Sequence, residues 1–315
     1  MITIVRYDSA VAARWNEFVK NSSNGTFLHL RNYMDYHSDR FDDCSLLAFD
    51  EKKRLVAVLP ANINGHTIYS HQGLTYGGWI VARRHFATEV MLQVWDAAVE
   101  WMRLQGVKWL IYKAIPYIYH KYPADDDLYA LFRLGAEIEA CQVSSSIPLS
   151  SPWLPNETAK QQIKAAKSCG IVVSKSDDYA GFMAMLSQRL EERYGKAPVH
   201  SLAEIQLLAK RFPDNISLYI ATSADGELLA GTVVYKTDTV VHTQYIATSE
   251  HGRENGAFVA IVEYLLENEC KDKAWFDFGV SCEEGGRVLN EGLNRQKYGL
   301  GGRPMVYTAY RLQIL

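Results

Sequence analysis

The sequence predicts an α/β (α+β) chain of two tandem units, each a mixed, mostly antiparallel sheet flanked by helices. Three observations lead there. The chain has 315 residues, long for one core and ordinary for two domains. Residues 150–156, SSPWLPN, form a polar stretch broken by two prolines near its middle. The order of elements before that stretch recurs after it: two helices, three strands, a long helix, a strand, a helix and a last strand.

In the first unit, placed at 1–150, Ile2 to Tyr7 alternates like a strand, and Ala10 to Lys20 has helical spacing with Trp15 and Phe18 turned inward. A short helix is expected around Asn32 to Asp39. Strands follow at Ser45 to Asp50, Leu55 to Ile63 and Thr67 to Ser70, joined by a charged turn and by Asn64-Gly65. The long helix is expected over His85 to Leu104, with Val90, Val94, Ala97 and Trp101 on its inner face. Trp109 to Ala114, Asp126 to Leu134 and Ala136 to Leu149 complete the unit as strand, helix and strand.

In the second unit, placed at 151–315, helices are expected at Glu157 to Ser168, Asp178 to Arg193 and Leu202 to Arg211. Strands are expected at Ile216 to Thr222, Leu228 to Tyr235 and Val240 to Ala247. A long helix over Asn255 to Asn268 leads to a strand opening at Ala274, a helix over Val288 to Tyr298 and a final strand, Met305 to Gln313. SLLAFDEKKRLVAV at 45–58 and SLYIATSADGELLAG at 217–231 share a layout of two apolar runs around a charged turn, which argues for internal duplication.

Composition narrows the function classes. Hydrophobic residues make up 48% and charged residues 22%, the balance of a globular protein. A formal net charge of −3 gives no global pull toward nucleic acid or anionic membranes. Cys44, Cys141, Cys169, Cys270 and Cys282 are scattered, so neither a zinc site nor a disulfide framework is expected. With no signal-peptide layout and no run of ~18 apolar residues, the protein is expected to be cytoplasmic and without a membrane span.

One stretch carries the densest chemistry, AWFDFGVSCEEGGRVLNEGLNRQKYGLGGR at 274–303. A short apolar strand delivers Asp277 and breaks at Gly279. A short helix then carries Lys297 and stops at Gly299, before Gly301 and Gly302, because glycine tolerates positive φ. The acid and the lysine form a candidate site. Read structurally instead, Asp277 caps the following loop and Lys297 is a surface helix residue.

The order of elements resembles the GNAT acyltransferase fold, and two such units in tandem resemble the Fem-type (FemABX-like) aminoacyltransferases. KQQIKAAKSCGIVV at 160–173 is similar to that family's basic helix ending in glycine before a Val-rich strand. Arg193-Tyr194-Gly195-Lys196-Ala197-Pro198 resembles its Arg-His-Gly-x-x-Pro segment, with Tyr194 for His. The FDFG run, Gly292-Leu293 and the QKYGLGG run at 296–302 resemble its closing Phe-Lys-x-Gly-Phe-Gly-Gly signature, with Gln296 and Leu300 for the two Phe. In the first half, FLHLRNYMDYHSDRF and SHQGLTYGGWIV look like segments that bacterial tandem-GNAT proteins carry there.

The resemblance implies an acyltransferase that moves an acyl or aminoacyl group onto an amine. Lys297 matches the lysine that stabilises charge in those enzymes, and a fixed cation lowers the barrier for amine attack on an ester or thioester. Asp277 would orient Lys297 or accept a proton from the amine. Acyl-CoA-binding relatives hold pyrophosphate at the start of the long helix, where Arg253, Asn255 and Gly256 stand here. Glu254 and Phe258 depart from that pattern. No tightly bound cofactor is implied; the donor would be an aminoacyl-tRNA or an acyl-CoA.

The first unit would hold a small-molecule or peptide-like amine acceptor. Its candidate contacts are His71, Thr75 and Tyr76 in the glycine-bearing loop and Lys113, Tyr117 and Tyr119 after a strand; tight-turn and packing roles fit the same residues. Lys160, Lys164 and Lys167 at helical spacing form a basic stripe that fits a tRNA partner or a solvated face. Two rival readings stay open: an acyl-CoA-dependent N-acetyltransferase, and a duplicated scaffold that only binds a ligand.

Overall fold

The computed structural model describes residues 1–314, and the side chain of Tyr194 lies outside what it describes. The chain divides into two compact units. The first comprises 1–143, 282–288 and 306–315; the second comprises 144–281 and 289–305. The late return to the first unit has a plain cause: residues 309–313 of the last strand, Arg303–Gln313, pair antiparallel with Trp109–Lys113.

In the first unit, Thr3–Arg6, Leu46–Phe49, Leu55–Leu59 and Ile80–Val81 form an antiparallel sheet. The run expected as one strand over Leu55 to Ile63 is two, Leu55–Leu59 and Asn62–Asn64, in different sheets. Pro60 lies at the break; it has no N–H for a ladder and fixes its own φ. The long helix is Thr88–Leu104, three residues shorter at its start than expected. Its inner face carries Met91, Val94, Trp95, Ala98 and Met102, while Val90, Ala97 and Trp101 form a half-buried rim. Both stripes satisfy helical spacing, and sequence periodicity does not choose between neighbouring registers of a helix this apolar.

In the second unit, Val172–Ser176, Ile216–Thr222, Leu228–Lys236 and Val240–Thr248 pair antiparallel in that order. Trp275–Val280 pairs parallel with Val240–Thr248 and antiparallel with residues 144–148. The connection to the parallel partner runs through the helix Ala257–Asn268, whose Phe258, Val259, Ile261, Val262 and Leu265 enter the core with Tyr219, Val241, Phe276 and Phe278. The helix expected over 255–268 is Ala257–Asn268, and a short helix, Glu250–Glu254, precedes it. Gly256 separates them at φ +72, a left-handed value that suits glycine.

The closing helix is Glu291–Gly299 rather than Val288 to Tyr298. Asn290 sets its start, its Oδ1 accepting from the Leu293 N–H at 3.0 Å. The positive-φ stop is Gly301, at +90, not Gly299. The strand at Trp275 does not end at Gly279 either; it runs to Val280, with a register shift against residues 144–148 where Gly279 takes φ +75. Among the described residues, no helix is long and apolar enough to cross a membrane.

Candidate active site

The parallel strands Val240–Thr248 and Trp275–Val280 stay in register for only three pairs: Val240 with Trp275, Val241 with Phe276, and His242 with Asp277. Beyond the last pair they part. Val240–Thr248 also carries an extra residue, since Val233 faces Tyr245 while Val234 faces Thr243, leaving Gln244 bulged. A bulge re-aims side chains and interrupts a ladder, which is why such irregularities gather beside ligand sites.

The opening holds a cavity of about 300 Å³, lined among others by Thr243, Gln244, Phe278 and Lys297, with Arg189 and Arg193 from the helix Tyr179–Tyr194. A second cavity of about 510 Å³ shares Thr248, Arg253, Phe258, Gln296 and Leu300 with it. Asn156, Gly256 and Arg295 also line the larger one. Two helix starts meet there: Glu157–Ser168, capped by Asn156 through the Ala159 N–H at 2.8 Å, and Ala257–Asn268, entered through Gly256. The positive ends of two helix dipoles and two arginines give this cavity a positive lining.

Lys297 is not a surface residue. It is 4% exposed, and its Nζ donates to the Gly279 carbonyl at 2.8 Å and the Val280 carbonyl at 2.7 Å. These carbonyls follow directly on the kink at Gly279, so the lysine joins the end of the acid-bearing strand to the closing helix. An ammonium has only donors to offer, and this pair of acceptors fixes its position in the cavity wall.

Asp277 is fully buried. Its Oδ1 accepts from Ser144 Oγ at 2.8 Å and Ser146 Oγ at 2.7 Å, and its Oδ2 lies 2.8 Å from His242 Nδ1. Burial alone would raise its pKa, but the His242 hydrogen bond and charge, with the two serine hydroxyls, outweigh it and hold the carboxyl well below the usual carboxylate range. It is therefore ionised, and Nδ1 carries the hydrogen it shares. Asp277 orients His242, and its link to Lys297 runs through the backbone at Gly279. Neither His242 nor the Ser144–Ser146 run was singled out from sequence. The only signal was a histidine inside an apolar strand, VVHTQYIAT, with no metal-ligand spacing around it.

Arg253 lines both cavities, and Gly256 lines the larger. A Cβ on Gly256 would come within 2.5 Å of the Gln162 carbonyl oxygen, so a close helix approach as well as its φ demands glycine. The Asn255 side chain is engaged by the protein: Nδ2 donates to His251 O at 3.0 Å, and Oδ1 accepts from Cys169 Sγ at 3.3 Å. Phe258, 6% exposed, is an apolar wall shared by the two cavities. In the basic stripe, Lys160 pairs with Glu157 at 2.6 Å and Lys167 with Glu263 at 2.8 Å, which neutralises much of it.

The first-unit candidates pack mainly against protein. His71, 3% exposed at φ +70, stacks on His37 with ring centroids 5.3 Å apart. A Cβ on Gly73 would fall 2.1 Å from His37 Nε2, and one on Gly77 1.8 Å from the Ser70 carbonyl oxygen, so protein packing accounts for these glycines. Lys113 Nζ donates to the Leu74 carbonyl and so clasps the same loop; burial lowers its pKa to about 8. Tyr76 and Tyr119 are buried with rings 4.5 Å apart, and Tyr119 Oη lies 2.9 Å from Tyr307 Oη. Thr75 and Tyr117 are exposed. Among the described residues, no group of three or more His, Cys, Asp or Glu is placed to hold a metal.

Comparison with known proteins agrees with this architecture. Residues 156–285 match the family model described as an acetyltransferase (GNAT) domain. No curated protein matches the chain in sequence. Solved structures similar to it include FemX, at 12% identity over 98% of this chain and 96% of that one, with a TM-score of 0.69. L-PGS from Bacillus licheniformis matches at 11% identity over 98% and 92%, with a TM-score of 0.60. A tandem GNAT protein from the clavulanic acid biosynthesis pathway matches at 14% identity over 100% and 99%, with a TM-score of 0.53. Residues 156–285 thus match a GNAT acetyltransferase domain, in a chain whose whole length is similar in fold to a tandem GNAT protein.

Proposed function

We propose that the protein is an N-acyltransferase, moving an acyl or aminoacyl group from a phosphate-bearing donor to an amine, with its chemistry in the second unit. One observation carries the reading: Lys297 Nζ, fixed by the Gly279 and Val280 carbonyls, stands in the wall of the cavity where two parallel strands part. Strands that separate expose backbone N–H and C=O groups along their facing edges, and an extended donor arm with amide groups satisfies them. A thioester or ester carbonyl at the end of that arm then lies beside a fixed cation. Attack by an amine builds negative charge on the carbonyl oxygen, and a pre-positioned ammonium stabilises that charge more than it stabilises the ground state.

The larger cavity supplies the other half of donor binding. Arg253, whose backbone N–H donates to the Ser249 carbonyl at 3.0 Å, lies where the two cavities meet. With Arg295 and two helix starts it suits the phosphates of a CoA or of a tRNA acceptor end. FemX shares the fold and favours an aminoacyl donor; the GNAT domain match favours acyl-CoA. Thermal unfolding with millimolar CoA, and separately with alanyl-tRNA, tests the reading. A ligand at 100 times its dissociation constant adds about 2.7 kcal/mol, a rise of several degrees in midpoint that Arg253→Ala should reduce. No rise with either compound would remove the donor site.

A further inference from the structure

We propose that His242 is the general base that takes the proton from the attacking amine, with Asp277 as its positioning residue; this rests on the acyltransfer reading above. His242 and Asp277 are the last paired residues before the strands part, and His242 directly precedes Thr243 and Gln244, which line the cavity. The imidazole is fixed from one side, by Nδ1 on the Asp277 carboxylate at 2.8 Å. Its other nitrogen, Nε2, makes no hydrogen bond with a described residue and is not sealed from solvent, in a side chain that is 11% exposed. Buried side-chain nitrogens are for the most part paired, so a ring nitrogen left open to solvent is available to a substrate.

The surroundings fit that task. A Cβ on Gly279 would sit 3.1 Å from His242 Cε1, so glycine leaves room for the ring. The same residue's carbonyl receives Lys297 Nζ at 2.8 Å. Base and cation therefore flank one peptide, the base for the amine proton and the cation for the carbonyl oxygen. Ser144 and Ser146 complete the carboxylate's hydrogen bonds, which keeps Asp277 charged and stabilises the imidazolium once it forms.

The step balances as follows. The amine nitrogen bonds to the acyl carbon, and the carbonyl π pair moves onto oxygen beside Lys297. Nε2 takes the N–H proton. As the tetrahedral carbon collapses, the C–O or C–S bond to the donor breaks with its electron pair on the leaving atom. That atom takes the proton from Nε2, and His242 is neutral again.

The test uses the full chain, lysine amide as acceptor, and acetyl-CoA or alanyl-tRNA as donor. General acid–base groups contribute about 10²–10⁴-fold, so His242→Ala should lose turnover in that range while KM for the donor holds. Imidazole in the buffer should restore part of the loss. Asp277→Asn should keep residual activity and displace the acid limb of the kcat/KM profile to lower pH. The charged and titratable groups facing the ring are Asp277 and, across the Gly279 peptide, Lys297, so Lys297→Met should leave an acid limb in place. Should His242→Ala fail to fold, diethyl pyrocarbonate serves on the wild type: modification at His242 should abolish turnover, with donor protecting.

Full activity of folded His242→Ala, or modified His242 without loss, would overturn the base assignment while leaving acyltransfer standing. A wild type inert with both donors would overturn both.

Discussion

Replacing Asp277 by Asn keeps the side-chain volume and removes one charge from a fully buried position. Three hydrogen bonds at 2.7–2.8 Å then change character, from the two serines and from His242. With the amide oxygen toward Nδ1, the NH₂ faces two hydroxyls that can rotate to accept, so every group remains paired. What is lost is charge assistance, about 1 kcal/mol per bond, partly offset because no carboxylate is now desolvated. Linkage isolates the charge. Asp277 has its folded pKa held below the unfolded value, so its contribution is present above the unfolded pKa and lost as pH falls toward the folded one. By pH 3 the unfolded carboxyl is largely protonated while the folded one is still charged, so part of that contribution is gone. Urea unfolding of wild type and Asp277→Asn at pH 7 and pH 3 should show the gap narrowing by about 1 kcal/mol or more. Titrating groups that do not touch Asp277 cancel in that difference. A gap that is the same at both pH values would refute the buried, ionised carboxylate.

Three further outcomes follow from the geometry. His29 and His71 are held at about 3, first by burial; the Tyr76 backbone opposes this at His29, and the His37 and Lys113 charges add to it at His71. The unfolded chain takes up protons first as pH falls below 6.5, so this contribution is complete above 6.5 and lost toward pH 3. Asp127, raised to about 7 by burial, works the other way and favours the folded state as pH falls through 7. Urea midpoints should still drop between pH 7 and pH 4.5, and less steeply in His71→Asn, since asparagine tolerates the φ of +70; an equally steep drop would contradict this. Gly256→Ala meets both a φ of +72 and the Gln162 carbonyl, and should cost more than about 1 kcal/mol in thermal or urea unfolding; no cost would mean the helix approach is looser than described. Lys297→Met leaves two carbonyls without their ammonium donor, and should lower stability by about 2–4 kcal/mol in the same measurement; an unchanged midpoint would contradict the buried clasp.

Much of the fold was legible because its periodicities are local. The strands Ile216–Thr222 and Leu228–Lys236 and the helix Leu202–Arg211, with its Ser201–Glu204 capping box, carry their own signals. The errors fall where local signals tie or where a distant contact decides. Neighbouring stripes of Thr88–Leu104 are equally apolar, and only packing selects one. The role of the 71–78 loop was undecided for a similar reason: glycine marks close approach but does not say whether a ligand or His37 is approached.

The candidate site was half legible. Lys297 and Asp277 stood out as charges among apolar residues, and Gly256 as part of a glycine pattern at the start of the long helix. Their partnership was not legible, because Asp277 is completed by Ser144, Ser146 and His242, which lie 133, 131 and 35 residues away. Only the strand order brings them into one row. The parting of Val240–Thr248 from Trp275–Val280 also depends on register, which periodicity of two leaves open.

The measurement that bears most directly on the central claim is the rate of acyl transfer to lysine amide, from acetyl-CoA and from alanyl-tRNA, by wild type and folded Lys297→Met. Loss of one oxyanion-stabilising group typically costs about 10²–10³ in kcat. Turnover by the wild type with one donor, and a fall of that size in a variant still folded by circular dichroism, is the predicted result. Equal rates for the two proteins would contradict the placement of the chemistry at the parted strands.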